Sequence, residues 1–297
     1  MIRILATIFA GLLGLAFGSF LNVCLSRWPA GESIVSPRSH CRNCTHTLSW
    51  WENIPLVSWL VLRGRCRNCG TWIGWRYPVV EALVGVSWAA AAWQALDPTS
   101  IAQLLFAHSL PVVVYLGVLT IVGNFVLRWL LVALAVLDAE HFWLPDWITL
   151  PGIVAGFFLA LVHGTIIGES GSMKYAAKTA ALNSIVGILA AASLILLIRW
   201  LYQLIRHREG LGLGDAKLMA LLAAWLGLPG ALLAFAIGVV LGASVALVLL
   251  AVPSTRTNPQ SWAASKLPLG TFLCVGGIVS SLWGQPLIAA YLRWAGF

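Results

Sequence analysis

Long apolar runs dominate this chain, broken by clusters of proline, glycine and charge. Runs of about 20 apolar residues match the roughly 30 Å hydrocarbon core of a bilayer. The breaks delimit candidate spans at 4–25, 79–96, 101–122, 125–137, 148–167, 176–198, 218–252 and 268–294. A segment in lipid must satisfy its own backbone hydrogen bonds, so each run is predicted to be a helix. The expected fold class is an all-α polytopic membrane protein with about eight transmembrane helices. Two stretches leave alternatives open. Residues 101–137 exceed one span and are interrupted by Pro111, Gly123 and Arg128: either a tilted helix joins a surface or re-entrant piece, or two short spans follow one another. Residues 218–252 pose a similar question, with the break expected at Gly227-Leu228-Pro229-Gly230.

The first run, Ile4 to Leu25, is too long for the apolar region of a signal peptide, ends in no A-x-A site, and carries its charge after the span. It reads as an anchor that stays. Only Arg3 precedes it, whereas the segment from Arg27 to Arg76 holds seven arginines against Glu32 and Glu52. The positive-inside bias places this polar loop in the cytoplasm and the N-terminus outside. Composition agrees: 60% hydrophobic residues, 9% charged and a mean hydropathy of +0.90 exclude a soluble single domain. The net charge of +8 lies largely in loops flanking the spans, so it marks orientation in the lipid bilayer and no nucleic acid is expected as a partner.

The same loop carries Cys41-x-x-Cys44 and Cys66-x-x-Cys69, with 21 residues between the pairs. A reducing cytosol disfavours disulfides, so paired C-x-x-C knuckles read as a tetrahedral four-cysteine site of the zinc-ribbon kind, holding structural Zn2+. A polar segment this short gains from a metal the folding energy that its small core lacks. A redox C-x-x-C or four unrelated thiols are the alternatives. Cys24 and Cys274 lie in apolar runs and read as small buried hydrophobes; His40 and His46 flank the first knuckle as solvated loop residues.

Acidic residues are scarce. Of four aspartates, at 97, 138, 146 and 215, three lie at the ends of apolar segments in two compact motifs, Leu137-Asp138-Ala139-Glu140-His141-Phe142-Trp143-Leu144-Pro145-Asp146 and Gly210-Leu211-Gly212-Leu213-Gly214-Asp215-Ala216-Lys217. A carboxylate near hydrocarbon costs roughly 2.5 kcal/mol or more, which makes such residues functional candidates. The glycines before Asp215 permit close approach of backbone, and the spacing is not a dinucleotide fingerprint. Taken alone, Asp215 could also be a helix N-cap. Asp146 after Pro145 reads as the N-cap of the next helix, Glu140 and His141 as interfacial residues, and Lys217 as a snorkelling lysine or one that tunes the aspartates. Asn22 and Glu81 either line a polar pocket or join helices by hydrogen bonds.

With these motifs in place the chain resembles the type IV prepilin leader peptidases of bacteria, membrane aspartic proteases of the GxGD class. Gly18-Ser19-Phe20-Leu21-Asn22-Val23 with Arg27-x-Pro29, the four-cysteine loop, Asn53-Ile54-Pro55-Leu56-x-Ser58-Trp59-Leu60 and Arg76-Tyr77-Pro78-x-x-Glu81 resemble the family's N-terminal region, and the two aspartate motifs follow in order. The resemblance implies Asp138 and Asp215 as catalytic residues. Lys266-Leu267-Pro268-Leu269-Gly270 resembles the family's Pro-Phe-Gly element with Leu269 in place of Phe. It further implies a prepilin or pseudopilin substrate, the bacterial inner membrane, and N-methylation of the new N-terminus by S-adenosylmethionine. The division expected is a first transmembrane helix (1–25), a cytoplasmic four-cysteine zinc loop linked to methylation (26–78) and a helical peptidase domain (79–297). An ion-coupled transporter or a zinc-bearing scaffold are the competing classes.

Overall fold

A computed structural model describes residues 1–107, 109–167, 173–207, 212–251 and 267–296. Gly210 and Leu211 of the second motif, Arg208 and Lys266 lie outside the described residues. The described part is helical, and the chain forms two compact units, Met1–Ala133 and Leu134–Phe297.

The first unit holds α1 (Ile2–Arg27), a 3-10 turn (Trp50–Asn53), the short α2 (Val57–Val61), α3 (Arg76–Ala95), α4 (Pro98–Ala107) and the larger part of α5 (Leu110–His141). Helices α1 and α3 meet along a seam that only small residues allow. A Cβ at Gly14 would lie 2.9 Å from the Gly85 Cα, and one at Gly18 would lie 2.7 Å from the Glu81 Cα. Close backbone approach of this kind gives two apolar helices the dispersion contacts that lipid alone does not drive. Arg3 fastens the far end of the pair, donating to the Trp93 carbonyl at 2.7 Å and meeting Asp97 at 3.3 Å.

Helix α5 settles the first open stretch. It runs unbroken for 32 residues after the ten-residue α4, so the runs 101–122 and 125–137 are not two separate spans. Gly123 does not interrupt it. Arg128 does not interrupt it either, because its guanidinium finds a buried acceptor: the side chain is 1% exposed and donates to the Ser87 carbonyl at 2.7 Å, beside a stacked Trp88–Phe125 pair.

The second unit contains the end of α5 with α6 (Asp146–Ile167), α7 (Met173–Arg206), α8 (Leu213–Ala251) and α9 (Leu269–Trp294). Helices α6 and α7 run out and back, packed where a Cβ at Gly164 would lie 2.6 Å from the Ala180 Cβ. The second open stretch divides at Gly227, whose φ of 70° interrupts α8. Before this break α8 follows α6, with Trp225 Nε1 donating to the Gly152 carbonyl at 2.8 Å. After it the chain runs against α9: the Gly230 carbonyl accepts from Ser280, Ala234 meets Gly276, and Gly238 and Gly242 meet Leu273 and Phe272. That order brings the second leg back towards the start of α9.

Among the described residues six helices, α1 and α5–α9, are long and apolar enough to cross a membrane. Helix α3 is long enough but less apolar, and α8 contributes two legs. Counting them gives the eight membrane helices expected, with a different division: 101–137 supplies one and 218–252 supplies two.

Candidate active site and metal centre

Asp138 lies in the last turn of α5 and Asp215 in the first turn of α8, both buried, at 6% and 9% exposure. Because α6 and α7 run out and back between them, the end of α5 and the start of α8 come to one level. The two carboxylates are close enough to act on one another electrostatically, and the fully buried Cys274 of α9 feels both. Asp215 occupies the positive end of its own helix, whereas Asp138 stands at the negative end of α5. Asp215 is the third residue of α8 and its Oδ2 accepts the Gly212 N–H at 3.1 Å, the reciprocal bond of a capping box.

Asp138 serves a helix that is not its own. α9 begins after Pro268, which offers no side-chain cap. The Thr271 N–H donates instead to Asp138 Oδ2 at 2.7 Å, and the Thr271 hydroxyl lies 3.2 Å from the same oxygen and 3.0 Å from the Ala135 carbonyl. An orphan N–H of a first helical turn thus finds a carboxylate, which the helix dipole also favours. Sequence reading did not single out Thr271, since its partner is 133 residues away.

Leu144 closes the arrangement. A Cβ at Gly214 would lie 3.1 Å from the Leu144 Cβ, and one at Gly270 would lie 3.1 Å from its Cδ1 and 2.8 Å from Asp138 Oδ2. The rival acidic residues stand apart from this cluster. Asp146 begins α6 as its first helical residue and pairs with Lys217 at 2.5 Å, so the lysine's ion pair is with Asp146. Glu140 and His141 meet at 3.9 Å, exposed.

In the first unit the four cysteine sulfurs lie within 4.8 Å of one another. Cys41 and Cys69 are 3.8 Å apart, and Cys44 and Cys66 are 3.9 Å apart. Sulfurs about 2.3 Å from a central ion at tetrahedral angles stand about 3.8 Å apart, so the set fits a metal ion. Both knuckles read Cys-Arg-Asn-Cys and fold alike: the Thr45 and Gly70 amides donate to the Cys41 and Cys66 carbonyls at 2.9 Å, each with positive φ.

The asparagines cross over. Asn43 Nδ2 reaches Cys69 Sγ at 3.7 Å and Thr71 Oγ1 at 2.8 Å, while Asn68 Nδ2 reaches Cys44 Sγ at 3.6 Å. Hydrogen bonds with the Thr71 hydroxyl and amide, and with Asn43, hold the Cys69 thiol down at about 5, which suits a thiolate ligand. Both asparagines escaped the sequence reading, although the repeated Cys-Arg-Asn-Cys was the available signal. Nearby, the backbone N–H of Ser49 holds the Glu52 carboxyl below its usual range.

Two buried carboxylates at helix ends in a multi-pass membrane protein are an arrangement with the chemistry for acid–base hydrolysis without a covalent intermediate. Comparison with known proteins carries this from a class to a family. The bacterial peptidase A24 N-terminal domain matches residues 12–95, and the type IV leader peptidase family matches residues 125–247. Proteins named prepilin leader peptidase/N-methyltransferase from Stutzerimonas stutzeri and Pseudomonas aeruginosa are 32% and 30% identical. They cover 95% and 96% of this chain, and the chain covers 92% and 93% of them. A protein of the same name from Myxococcus xanthus is 36% identical over 90% of this chain and 69% of its own length. No solved structure matches. The chain belongs to the type IV leader peptidase family. The transporter and scaffold readings gain no support from these relatives.

Proposed function

We propose that this protein removes the leader peptide from prepilins or pseudopilins, with Asp138 and Asp215 as the catalytic dyad, and N-methylates the N-terminus so created. The observation that carries the reading is the burial of these two carboxylates, 77 positions apart in sequence, within electrostatic reach of each other at the ends of α5 and α8. Two such groups share one proton and titrate as a pair. The ionised member draws a proton from water as the water oxygen attacks the scissile carbonyl. The protonated member gives its proton to the carbonyl oxygen, and collapse of the tetrahedral adduct returns a proton to the leaving amine. Thr271 and Gly212 fix the carboxylates in position, which favours a rate gain through orientation.

A prepilin leader followed by an apolar helix suits this site, since the helix can lie in the bilayer and present its end to the membrane boundary. The arginines between Arg27 and Arg76, with Arg199, Arg206 and Lys217 near Asp215, support a cytoplasmic catalytic face in the inner membrane. The cysteine set suits Zn2+ because four thiolates at tetrahedral spacing match its preference in structural sites. S-adenosylmethionine, when bound, supplies the methyl group: the new C–N bond forms as the C–S bond breaks, and the amine gives up a proton to solvent. We assign residues 1–25 to a first membrane helix, 26–78 to the cytoplasmic metal loop and 79–297 to the peptidase domain.

Replacing Asp138 or Asp215 by Asn in purified protein tests the dyad. Either change should slow prepilin cleavage by at least about 10²- to 10⁴-fold, the range of general acid–base catalysis, while the variant remains inserted. Cleavage at the normal rate by either variant would reject it.

A further inference from the structure

The first unit contains a cavity of 740 Å³ between α1, α3 and the metal loop, within the range of roughly 300–1,000 Å³ typical of small-molecule sites. Its walls hold polar atoms that the protein leaves unanswered. Asn22 is 2% exposed; its Nδ2 donates to the Tyr77 carbonyl at 3.0 Å, and its Oδ1 has no partner. Glu52 is 7% exposed; its Oε2 accepts the Ser49 N–H at 2.7 Å, and its Oε1 has no partner. Glu81 is also 7% exposed and accepts the Leu56 N–H at 2.8 Å, with no cationic side chain paired to it among the described residues.

A buried carboxylate without a cation is costly. Among the described residues Glu81 lacks such a cation, Glu52 keeps an open Oε1 although its Oε2 lies 3.7 Å from His46 Nε2, and with the open Asn22 oxygen in the same cavity these groups describe a receptor for positive charge. Aromatic lining strengthens this: Trp59, Trp72 and Tyr77 line the same cavity, with Trp59 and Trp72 centroids 5.7 Å apart edge to face. Aromatic faces attract sulfonium and ammonium groups and stack on flat heterocycles. Arg67 on the rim provides a counter-charge for a carboxylate.

A sulfonium, an ammonium, a carboxylate and an adenine are the parts of S-adenosylmethionine. Resting on the methylation proposed above, we propose that this cavity is its binding site, with Glu81, Glu52 and Asn22 receiving the cationic methionine portion and the tryptophans the adenosyl portion. The site belongs wholly to the first unit, so the residues that would bind the methyl donor are separate from the aspartate dyad in sequence and in fold.

The test uses the full-length protein in detergent. Binding of S-adenosylmethionine is measured by titration calorimetry, and its contact region by ultraviolet crosslinking of the radiolabelled compound followed by peptide mapping. Glu81→Gln keeps an oxygen for the Leu56 N–H and removes the charge; Ser19→Phe fills the cavity from α1. Each should weaken binding at least tenfold, with metal content and melting temperature retained, and the crosslink should fall between residues 19 and 81. If Glu81→Gln loses its metal, Ser19→Phe decides. Wild-type affinity in a folded variant, or a crosslink in the second unit, would overturn the site. The mass of the mature pilin N-terminus made by the wild type separates the two readings. Absence of both methylation and binding rejects methylation itself, whereas methylation with binding that the variants do not affect rejects only this cavity.

Discussion

Gly270→Ala probes the join between α9 and the dyad most directly. The added methyl group would stand 2.8 Å from Asp138 Oδ2, 3.0 Å from its Cγ and 3.1 Å from Leu144 Cδ1. Gly270 has no positive φ, so the backbone itself accepts alanine and the whole effect arises from contact. An ordinary contact lies near 3.4 Å or beyond, so the carboxylate must retreat by several tenths of an ångström. That movement strains the 2.7 Å bond from the Thr271 N–H. Overpacking of this size costs about 1–3 kcal/mol of stability, which a multi-helix membrane protein survives. Catalysis is less tolerant: productive geometry holds within about 0.5 Å, and a displacement of about 1 Å costs on the order of 10²-fold. We expect prepilin cleavage to fall about 10- to 100-fold, mainly in kcat, with a modest loss of melting temperature. The assay is the initial rate of precursor-to-mature conversion on gels with purified enzyme and prepilin in detergent. Gly117→Ala is the control, because a Cβ there meets nothing within 4 Å, and it should cleave normally. Leu144→Ala added to Gly270→Ala relieves only the leucine contact, so it should not restore the rate. A Gly270→Ala enzyme of wild-type rate, or full rescue by the second change, would refute the argument that the methyl group acts through Asp138.

Two further outcomes test the surroundings. Cys41→Ser should reduce bound zinc to background by elemental analysis, and Asn68→Ala should weaken metal affinity about 10- to 100-fold in a chelator competition; unchanged metal content in both would remove the site. Lys217→Ala breaks the ion pair with Asp146, whose side chains are 35% and 58% exposed. It should cost less than about 1 kcal/mol and leave the cleavage rate near normal, whereas loss of cleavage would tie the lysine to the dyad.

What the sequence made legible was what depends on local composition. Apolar runs located most of the helices, although α7 continues to Arg206, past the expected end at 198, and 101–137 divides differently; the two C-x-x-C pairs located a four-cysteine cluster that could hold a metal ion, and the isolation of Asp138 and Asp215 in apolar surroundings marked them for attention. What it hid depends on partners distant in the chain. Arg128 looked like a breaker because its acceptor, the Ser87 carbonyl, belongs to another helix. Asp146 looked like a cap and Lys217 like a snorkelling lysine or one that tunes the aspartate pair, but their pairing spans 71 positions. The break at Gly227 was readable from Gly-Leu-Pro-Gly. The reversal it produces was not, because direction follows from the packing of Ala234 and Gly238 on α9 and not from the turn residues alone.

The glycines of the second unit show why the two acidic motifs occur with a third element. A carboxylate in an apolar setting needs donors, and the nearest unspent donors in a helical protein are the N–H groups of first helical turns. Asp215 obtains one from Gly212 within its own motif. Asp138 ends a helix, where the local dipole is negative, so its donors must come from the start of another helix, and α9 supplies them through Thr271. That meeting needs α9 to approach until no Cβ fits at Gly270, while Leu144 wedges between Gly270 and Gly214 and sets the spacing of α9 from α8. The short Pro-Leu-Gly run at 268–270 therefore leads into the turn that packs on Asp138, and on the proposed dyad it would act with the aspartates. Changes there should alter the peptidase rate before they alter membrane insertion, because insertion depends on the apolarity of the helices and catalysis on the fit of one oxygen against one methylene.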